Sequence, residues 1–513
     1  MKSVLYGAVA VSIALIPTLA ALIAYVPIVP PSGLILLRAV LVTAVGVALA
    51  CALLIWRGYP AQTATIGVAV GAGLFGLYPL VRFVLPNTVQ DFAQPFAICY
   101  LAGCILAAIA VARSRLSPTS VVYPVVSLFG AVMALSMLHQ MWLAYGVTDP
   151  PAHVSDELRA LTGTATAQRP DVYHVIVDGF GRPDVLRDRY DLDLYDFVRS
   201  LTARGFEVAE DTTANYVQTS LSIASMLNVA YIDPAAAEAT SRRFLYELIQ
   251  TSPVIEAFKR VGYEFYFVGS IYSALRSHRL ADVCECSYPL IGEFESTLLK
   301  GTPWTDIGLA GWDYRAHRQK IQQSFDALQA LEPSPRPRLV LAHFLSPHPP
   351  FVFDANGGDR VPRRLFAIDD GNAFRGPWEE YRDGYRQQAR YIAHRLLQAI
   401  EHFERISRAQ GRDALIIVHG DHGPRYRWDV ETAEGTDASE TLPVLLAIRW
   451  PGVNAPDSGP KSLVNVYRVL FGRYFGAPIE PVPDRSFVSS FRAPYRFIEV
   501  DPSSLGHGVA ASR

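Results

Sequence analysis

The first 149 residues of this 513-residue chain carry only eight charged side chains: Lys2, Arg38, Arg57, Arg82, Asp91, Arg113, Arg115 and Asp149. All the other charges among 46 lysines and arginines and 48 aspartates and glutamates come later. A stretch so poor in charge cannot cover itself in water. It divides into apolar spans at residues 4–26, 33–56, 62–85, 92–112 and 121–146. Each has roughly the 20 residues a helix needs to cross a bilayer. Short loops rich in Pro and Gly separate them, among them Pro27-Ile28-Val29-Pro30-Pro31 and Gly58-Tyr59-Pro60. The first span has the look of a signal peptide, but four more follow it, so it reads as a membrane helix. With the N-terminus inside, Lys2, Arg57, Arg113 and Arg115 fall in the cytoplasm, and Arg38 and Arg82 lie towards the outer face. That bias favours an extracytoplasmic side for everything after Tyr145. The expectation is a multi-pass protein of the inner (plasma) membrane with a periplasmic or otherwise extracytoplasmic domain. A net charge of −2 gives no pull towards nucleic acid.

Residues 147–170 read as a linker, with Pro150-Pro151, Thr- and Ala-rich sequence and Arg169-Pro170. Beyond it, strand-like runs alternate with helical patterns over residues 171–513. The runs at 171–177, 264–268, 338–342 and 414–418 are mostly unbroken and apolar, as buried parallel strands are. The fold expected is an α/β domain, mostly parallel sheet with helices on both faces, behind a bundle of about five transmembrane helices (residues 1–146).

In such sheets ligands sit beyond the carboxyl ends of the strands. Three runs end there in metal-ligand chemistry: Asp178, His343, and Asp421 with His422. Carboxylate and imidazole together suit a divalent cation, and Gly420 and Gly423 leave the backbone room to turn. Thr219 stands where a helix begins, so backbone N–H groups and the helix dipole face its surroundings, a setting suited to phosphate. The alternative is that Thr219 merely caps that helix.

A strand ending in an acid, an Asn-x-x-x-Thr turn (Asn215 to Thr219), a His in Ser346-Pro347-His348-Pro349-Pro350-Phe351 and Asp421-His422-Gly423 together resemble the alkaline phosphatase superfamily. Within it the chain is similar to the sulfatase-like membrane phosphotransferases, such as lipoteichoic acid synthases and phosphoethanolamine transferases. The resemblance implies that Asp178, Thr219, Asp421 and His422 hold a divalent metal (Zn, Mn or Mg). Thr219 would be the nucleophile, and His343 and His348 would stand near substrate and leaving group. It further implies transfer of a phospho-alcohol group, of phosphoglycerol or phosphoethanolamine type, from a membrane lipid donor to an envelope glycan or lipid through a phospho-threonine. A phosphoester or sulfatase-like hydrolase of the same fold is the alternative, and a catalytically silent envelope-binding module is the alternative of another class.

Departures from that pattern bear on placement. Asp178 stands where these transferases usually carry Glu, and the Cys-x-Pro-x-Arg signature of formylglycine sulfatases is absent around Thr219. His419 is either a substrate contact or a strand-end histidine. Arg182, Arg425 and Arg427 lie in loops beside the ligands and have the shape to bind phosphate oxygens. Tyr216 and Trp428 line a cleft or pack. Asp313 and His317, four apart on a charged helix, read as a solvated face. The polar, Gly-rich loop at 357–375 bears on the acceptor. Cys284 and Cys286 read as two loop thiols, with a metal pair or a local disulfide as the alternatives.

Overall fold

The computed structural model describes residues 33–78, 93–114, 169–233, 242–286, 302–305, 310–360, 376–452, 459–476 and 479–505, with isolated positions between them. The chain divides into two compact units: Met1–Asp149 with Ile291–Asp313, and Pro150–Leu290 with Tyr314–Arg513.

In the first unit three helices are described, α1 (Gly33–Trp56), α2 (Ala61–Gly76) and α3 (Ala93–Arg113). Among the described residues two stretches, Leu37–Trp56 and Pro95–Arg113, are long and apolar enough to cross a bilayer, and α2 is apolar but shorter. The spans expected at 4–26 and 121–146 lie outside the described residues save for isolated positions, as do Arg82 and most of the end of the third span. On α1, Leu37, Leu41, Val42, Val45, Leu49 and Trp56 are each more than half exposed. An apolar face of that extent is costly against water and at home against lipid. Helices α2 and α3 meet at small residues. A Cβ on Gly67 would fall 2.3 Å from the Ala108 carbonyl oxygen, and one on Gly71 would fall 3.0 Å from Ala108 Cβ. Small residues four apart permit such backbone approach between helices in lipid.

The second unit is built on a seven-stranded sheet in the order β2-β7-β6-β1-β5-β3-β4. The strands are β1 (Asp171–Val177), β2 (Phe206–Val208), β3 (Glu264–Val268), β4 (Val283–Glu285), β5 (Arg338–Phe344), β6 (Ala414–His419) and β7 (Leu446–Arg449). From β6 to β4 all neighbours are parallel, and β7 runs antiparallel between β2 and β6. The sheet is therefore mixed, with one strand reversed. Every residue of β1 is buried. Val172 and Ile176 face one core, and Tyr173, Val175 and Val177 face the other. That is why the run reads as continuously apolar.

Helices cover both faces. One core takes α6 (Thr219–Asn228), α7 (Arg243–Gln250), α8 (Pro253–Arg260) and α12 (Val466–Phe475). The other takes α4 (Pro183–Tyr190), α5 (Tyr195–Ala203), α9 (Ala310–Gln329) from Tyr314 onward, and α10 (Trp378–Ala409). A short helix, α11 (Ala438–Thr441), precedes β7. A small hairpin-like pair, β8 (Ser486–Val488) with β9 (Ile498–Val500), bridges through Phe487 to Tyr216. It braces the loop that leads into α6. Cys284 and Cys286 correct the reading of two free thiols: they are joined in a disulfide at the β4 edge.

Candidate metal centre

The sheet register brings the chemistry together. Ile176 of β1 pairs with His343 on β5 and with His419 on β6, so the three strand ends lie side by side. Asp178 follows β1, its N–H donating to the Phe344 carbonyl at 2.9 Å. The next residue, Gly179, has φ +78, a turn that side chains with a Cβ disfavour, and its N–H donates to Asp421 Oδ1 at 3.1 Å. At the end of β6, a Cβ on Gly420 would lie 2.2 Å from the Phe180 carbonyl oxygen. That close passage puts Asp421 and His422 over the end of β1.

Asp178, Asp421 and His422 are fully buried, and one ligand atom of each lies within 4.8 Å of the others. Thr219 is the first residue of α6 rather than its cap. Gln218 is the N-cap, and no side chain caps the helix. The Thr219 hydroxyl is thus free of structural duty. It lies 3.3 Å from His422 Nε2 and 3.5 Å from Asp178 Oδ2.

The cluster needs positive charge at its centre. His422 Nδ1 is 2.8 Å from the Gly423 carbonyl oxygen, so the proton of the neutral ring belongs there, and Nε2 presents a lone pair. That lone pair sits 3.1 Å from Asp178 Oδ1 and 3.6 Å from Asp421 Oδ2. Asp178 Oδ1 and Asp421 Oδ2 are buried without a hydrogen-bond partner among the described residues. Acceptors facing acceptors in a dry site repel unless a cation or a proton lies between them. The titration directions agree. Burial and Arg425 work against the His422 imidazolium, yet Asp421 and Asp178 outweigh them and raise its pKa. Burial alone would raise Asp178, but the neighbouring His348, His343 and His422 hold it well below the usual carboxylate range. The donor set of two carboxylates, one imidazole and one hydroxyl fits a divalent cation.

Two further histidines flank the cluster in different states. His343 is anchored by Nδ1, 2.8 Å from Ser270 Oγ, and its Nε2 points, unpartnered, to 3.5 Å from Asp178 Oδ2. His348 is engaged at both nitrogens. Nδ1 is 2.6 Å from the Pro349 carbonyl oxygen, and Nε2 accepts from Arg425 Nη2 at 2.5 Å. Burial lowers the His348 pKa despite Asp178 and Asp370 nearby. Arg425 also donates to Asp370 Oδ2 at 3.2 Å and to the Val217 carbonyl at 3.1 Å. It therefore ties the His348 loop to the segment ahead of Thr219.

Other residues singled out from the sequence lie elsewhere or are spent. Arg182, expected to bind phosphate, is buried with its guanidinium paired to both oxygens of Asp184 at 2.7 and 2.9 Å. It holds the start of α4. His419, the other expected substrate contact, is fully buried under the strand end, its ring 4.9 Å from that of His174 and its Nδ1 2.8 Å from the Gly420 carbonyl. Burial pushes its pKa down to about 4. Arg427 is exposed and faces Asp437 and Glu440. Tyr216 stacks on Phe487 and accepts the Ile232 N–H, a packing role. His317 is buried rather than solvated, and burial pushes its pKa down to about 3. Asp370, Tyr381, Ser270 and Gln218 carry no signal in the linear chain. They come from loops and helices far apart along it and act on their neighbours only in the fold.

No protein-family model matches the chain, and no curated protein matches it. Among solved structures it is similar to the C-terminal periplasmic domain of EptC from Escherichia coli in complex with Zn, at 14% identity and TM-score 0.44, covering 71% of this chain and 99% of that one. It is also similar to the soluble domain of lipooligosaccharide phosphoethanolamine transferase A from Neisseria meningitidis, at 12% identity and TM-score 0.35, covering 61% and 91%. A third likeness is to the phosphonate monoester hydrolase SpPMH from Silicibacter pomeroyi, at 16% identity and TM-score 0.39, covering 62% and 79%.

Proposed function

We propose that this chain is a membrane-anchored, metal-dependent phosphotransferase. It moves a phospho-alcohol group, of phosphoglycerol or phosphoethanolamine type, from a lipid donor to a glycan or lipid of the cell envelope. Residues 1–146 anchor it, and the catalytic unit from residue 171 works on the extracytoplasmic side. The observation that carries this reading is the hydroxyl of Thr219, free of any capping role, set 3.3–3.5 Å from two members of a buried Asp178–Asp421–His422 cluster whose Asp178 Oδ1 and Asp421 Oδ2 lack a hydrogen-bond partner among the described residues. The two apolar helices support the anchor.

Asp178, Asp421, His422 and the Thr219 hydroxyl would hold the cation. A divalent ion there supplies the charge that favours the alkoxide of Thr219 and offsets that of the phosphoryl oxygens. Thr219, at the start of α6, presents its oxygen where the helix N–H groups also face an anion. Its attack on phosphorus breaks the bond to the lipid alcohol and leaves a phospho-threonine. His343, with Nε2 free, passes a proton to the departing alcohol and takes one from the alcohol that enters. His348 is already engaged at both nitrogens. It positions Arg425 instead, whose charge and planar fork suit the phosphoryl oxygens.

The test is turnover of a fluorescent phospholipid panel by detergent-purified full-length protein, wild type against Thr219→Ala and Thr219→Ser, with Mn²⁺, Mg²⁺, Zn²⁺ or EDTA. Metal-dependent diacylglycerol release, at least about 10³-fold lower in Thr219→Ala and partly kept in Thr219→Ser, is expected from loss of a nucleophile. Mass spectrometry of quenched enzyme then finds the phospho-alcohol group of the donor, such as phosphoethanolamine, on Thr219. Undiminished turnover by folded Thr219→Ala would overturn the assignment. Release of product to water alone, with no acceptor used, would make the protein a hydrolase.

A further inference from the structure

A chain of side-chain contacts forms a rim that leads from His343 to His348, both beside the metal cluster, and one member of that rim carries a charge the proposed chemistry does not use. From His343 the rim passes to Tyr272, with rings 6.2 Å apart, and on to Tyr246 at 6.3 Å. Arg242 comes next, with Tyr272 and Tyr246 among its neighbours. Its guanidinium lies over the Phe491 ring at 4.1 Å. Phe491 meets Trp428 edge-on at 6.2 Å, Trp428 lies under Arg425 at 4.6 Å, and Arg425 returns to His348.

The two arginines of this rim are not alike. Arg425 has the Asp370 carboxylate at 3.2 Å. Arg242 is 3% exposed and has no carboxylate partner among the described residues. Its Nη2 donates to Gln218 Oε1 and to the Phe491 carbonyl, both at 2.8 Å. A guanidinium has five N–H donors in a fixed fork. Those on Nε and Nη1 meet no described acceptor, yet neither atom is among the sealed, unpartnered donors, so they keep an opening. A guanidinium does not shed its proton, so the charge stays, with no carboxylate among the described residues to compensate it. Gln218, which it grips, is the residue before Thr219 and is fixed on its other side by Ser489 Oγ at 2.8 Å.

We propose that Arg242 forms a second anion subsite, which takes an anionic oxygen carried by the substrate beyond the phosphoryl group that reacts. The ligand class is a phosphate or carboxylate on an alcohol with an apolar or ring-bearing body. Phosphate is favoured, since a planar fork matches it in two-point contact, and the aromatic rim of Tyr272, Phe491 and Trp428 suits the body. This rests on the phosphotransferase reading. Its test is chosen so that either can fail alone.

In the first arm the full-length protein is stripped with EDTA, and its melting temperature is followed against inorganic pyrophosphate for wild type, Arg242→Gln and Arg242→Lys. This arm needs no turnover. Wild type should gain stability with pyrophosphate, Arg242→Gln should gain none, and Arg242→Lys should gain part. Equal gains in wild type and Arg242→Gln, or no gain in wild type, overturn the subsite. The second arm uses bis-p-nitrophenyl phosphate as donor, with glycerol, glycerol 3-phosphate and glycerate as competing acceptors. The ratio of glycerol 3-phosphate to glycerol transfer should fall about tenfold or more in Arg242→Gln through KM, the loss of a charged hydrogen bond, and recover in part in Arg242→Lys. A smaller fall with glycerate identifies phosphate over carboxylate. If Arg242→Gln slows both acceptors equally, the arginine only braces Gln218, and the subsite is wrong. Pyrophosphate stabilisation that needs Arg242, in a protein that transfers nothing, would keep the subsite and remove the phosphotransferase reading.

Discussion

Replacing Asp421 with Asn should stabilise the metal-free protein while abolishing its stabilisation by metal. The two carboxylates have ligand atoms within 4.8 Å of each other, and at an effective dielectric of about 20 their repulsion is about 3 kcal/mol. Asp421 Oδ2 is also buried without a partner, a cost of about 1–3 kcal/mol. Charge on His422 offsets part of both, which leaves a net of about 1–3 kcal/mol for the substitution to recover. The exchange is nearly isosteric. Asn keeps the oxygen that accepts the Gly179 N–H. At about 2–4 °C per kcal/mol, the melting temperature in EDTA should rise by about 2–12 °C. In saturating Mn²⁺ or Zn²⁺ the order reverses, because the wild type gains about 4 kcal/mol at a thousandfold excess over Kd and the variant gains little. The assay is thermal unfolding of both proteins in EDTA and across a metal titration. A variant less stable than wild type in EDTA as well would refute the reasoning, since the cluster would then be satisfied without a cation.

Two other perturbations act on buried groups near the centre. Burial raises Glu440 from 4.5 to about 7 even though the Tyr190 hydroxyl donates to it at 2.6 Å. The folded state holds this proton more tightly than the unfolded state, so the contribution is present below about pH 4.5 and is lost as pH rises through about 7. Glu440→Gln should therefore match wild type at pH 4.5 and melt higher at pH 8, and equal melting at both values would show the group to be unperturbed. Gly420→Ala places a Cβ against the Phe180 carbonyl oxygen, which backbone cannot yield cheaply. We expect a loss of about 1–3 kcal/mol in denaturant unfolding together with weaker metal binding, because Asp421 and His422 move with that turn. Unchanged metal affinity would show that the turn does not set the ligands.

Much of this protein was legible in the chain because it depends on local pattern. Unbroken apolar runs at 171–177 and 414–418 become β1 and β6 for a direct reason: both faces of each strand are buried, so no polar alternation survives. The reversal of β7 was not legible. A four-residue apolar strand looks the same in either direction, and only its pairing with β6 and β2 sets its sense. Arg182 and Arg425 illustrate the same limit. Both sit in loops beside the ligands and have the same chemistry, but Arg182 finds Asp184 two residues on, whereas Arg425 reaches His348 and Asp370 across the fold. His419 read as a candidate contact from its spacing to Asp421. Strand alternation turned it to the core face instead, beside His174.

By itself the sequence determined the charge-poor N-terminal region, the α/β character of residues 171–513 and the residue types at three strand ends, since each is a property of composition or of periodicity along a few residues. Only the tertiary structure decided that Asp178, Thr219, Asp421 and His422 share one buried volume, that His343 Nε2 lacks a hydrogen-bond partner among the described residues while His348 is engaged at both nitrogens, and that Arg242 has no carboxylate partner among the described residues. Those facts turn on distances between segments up to 242 residues apart. The balance of desolvation against pairing that sets them exists only once the sheet has brought the strand ends together and excluded water from between them.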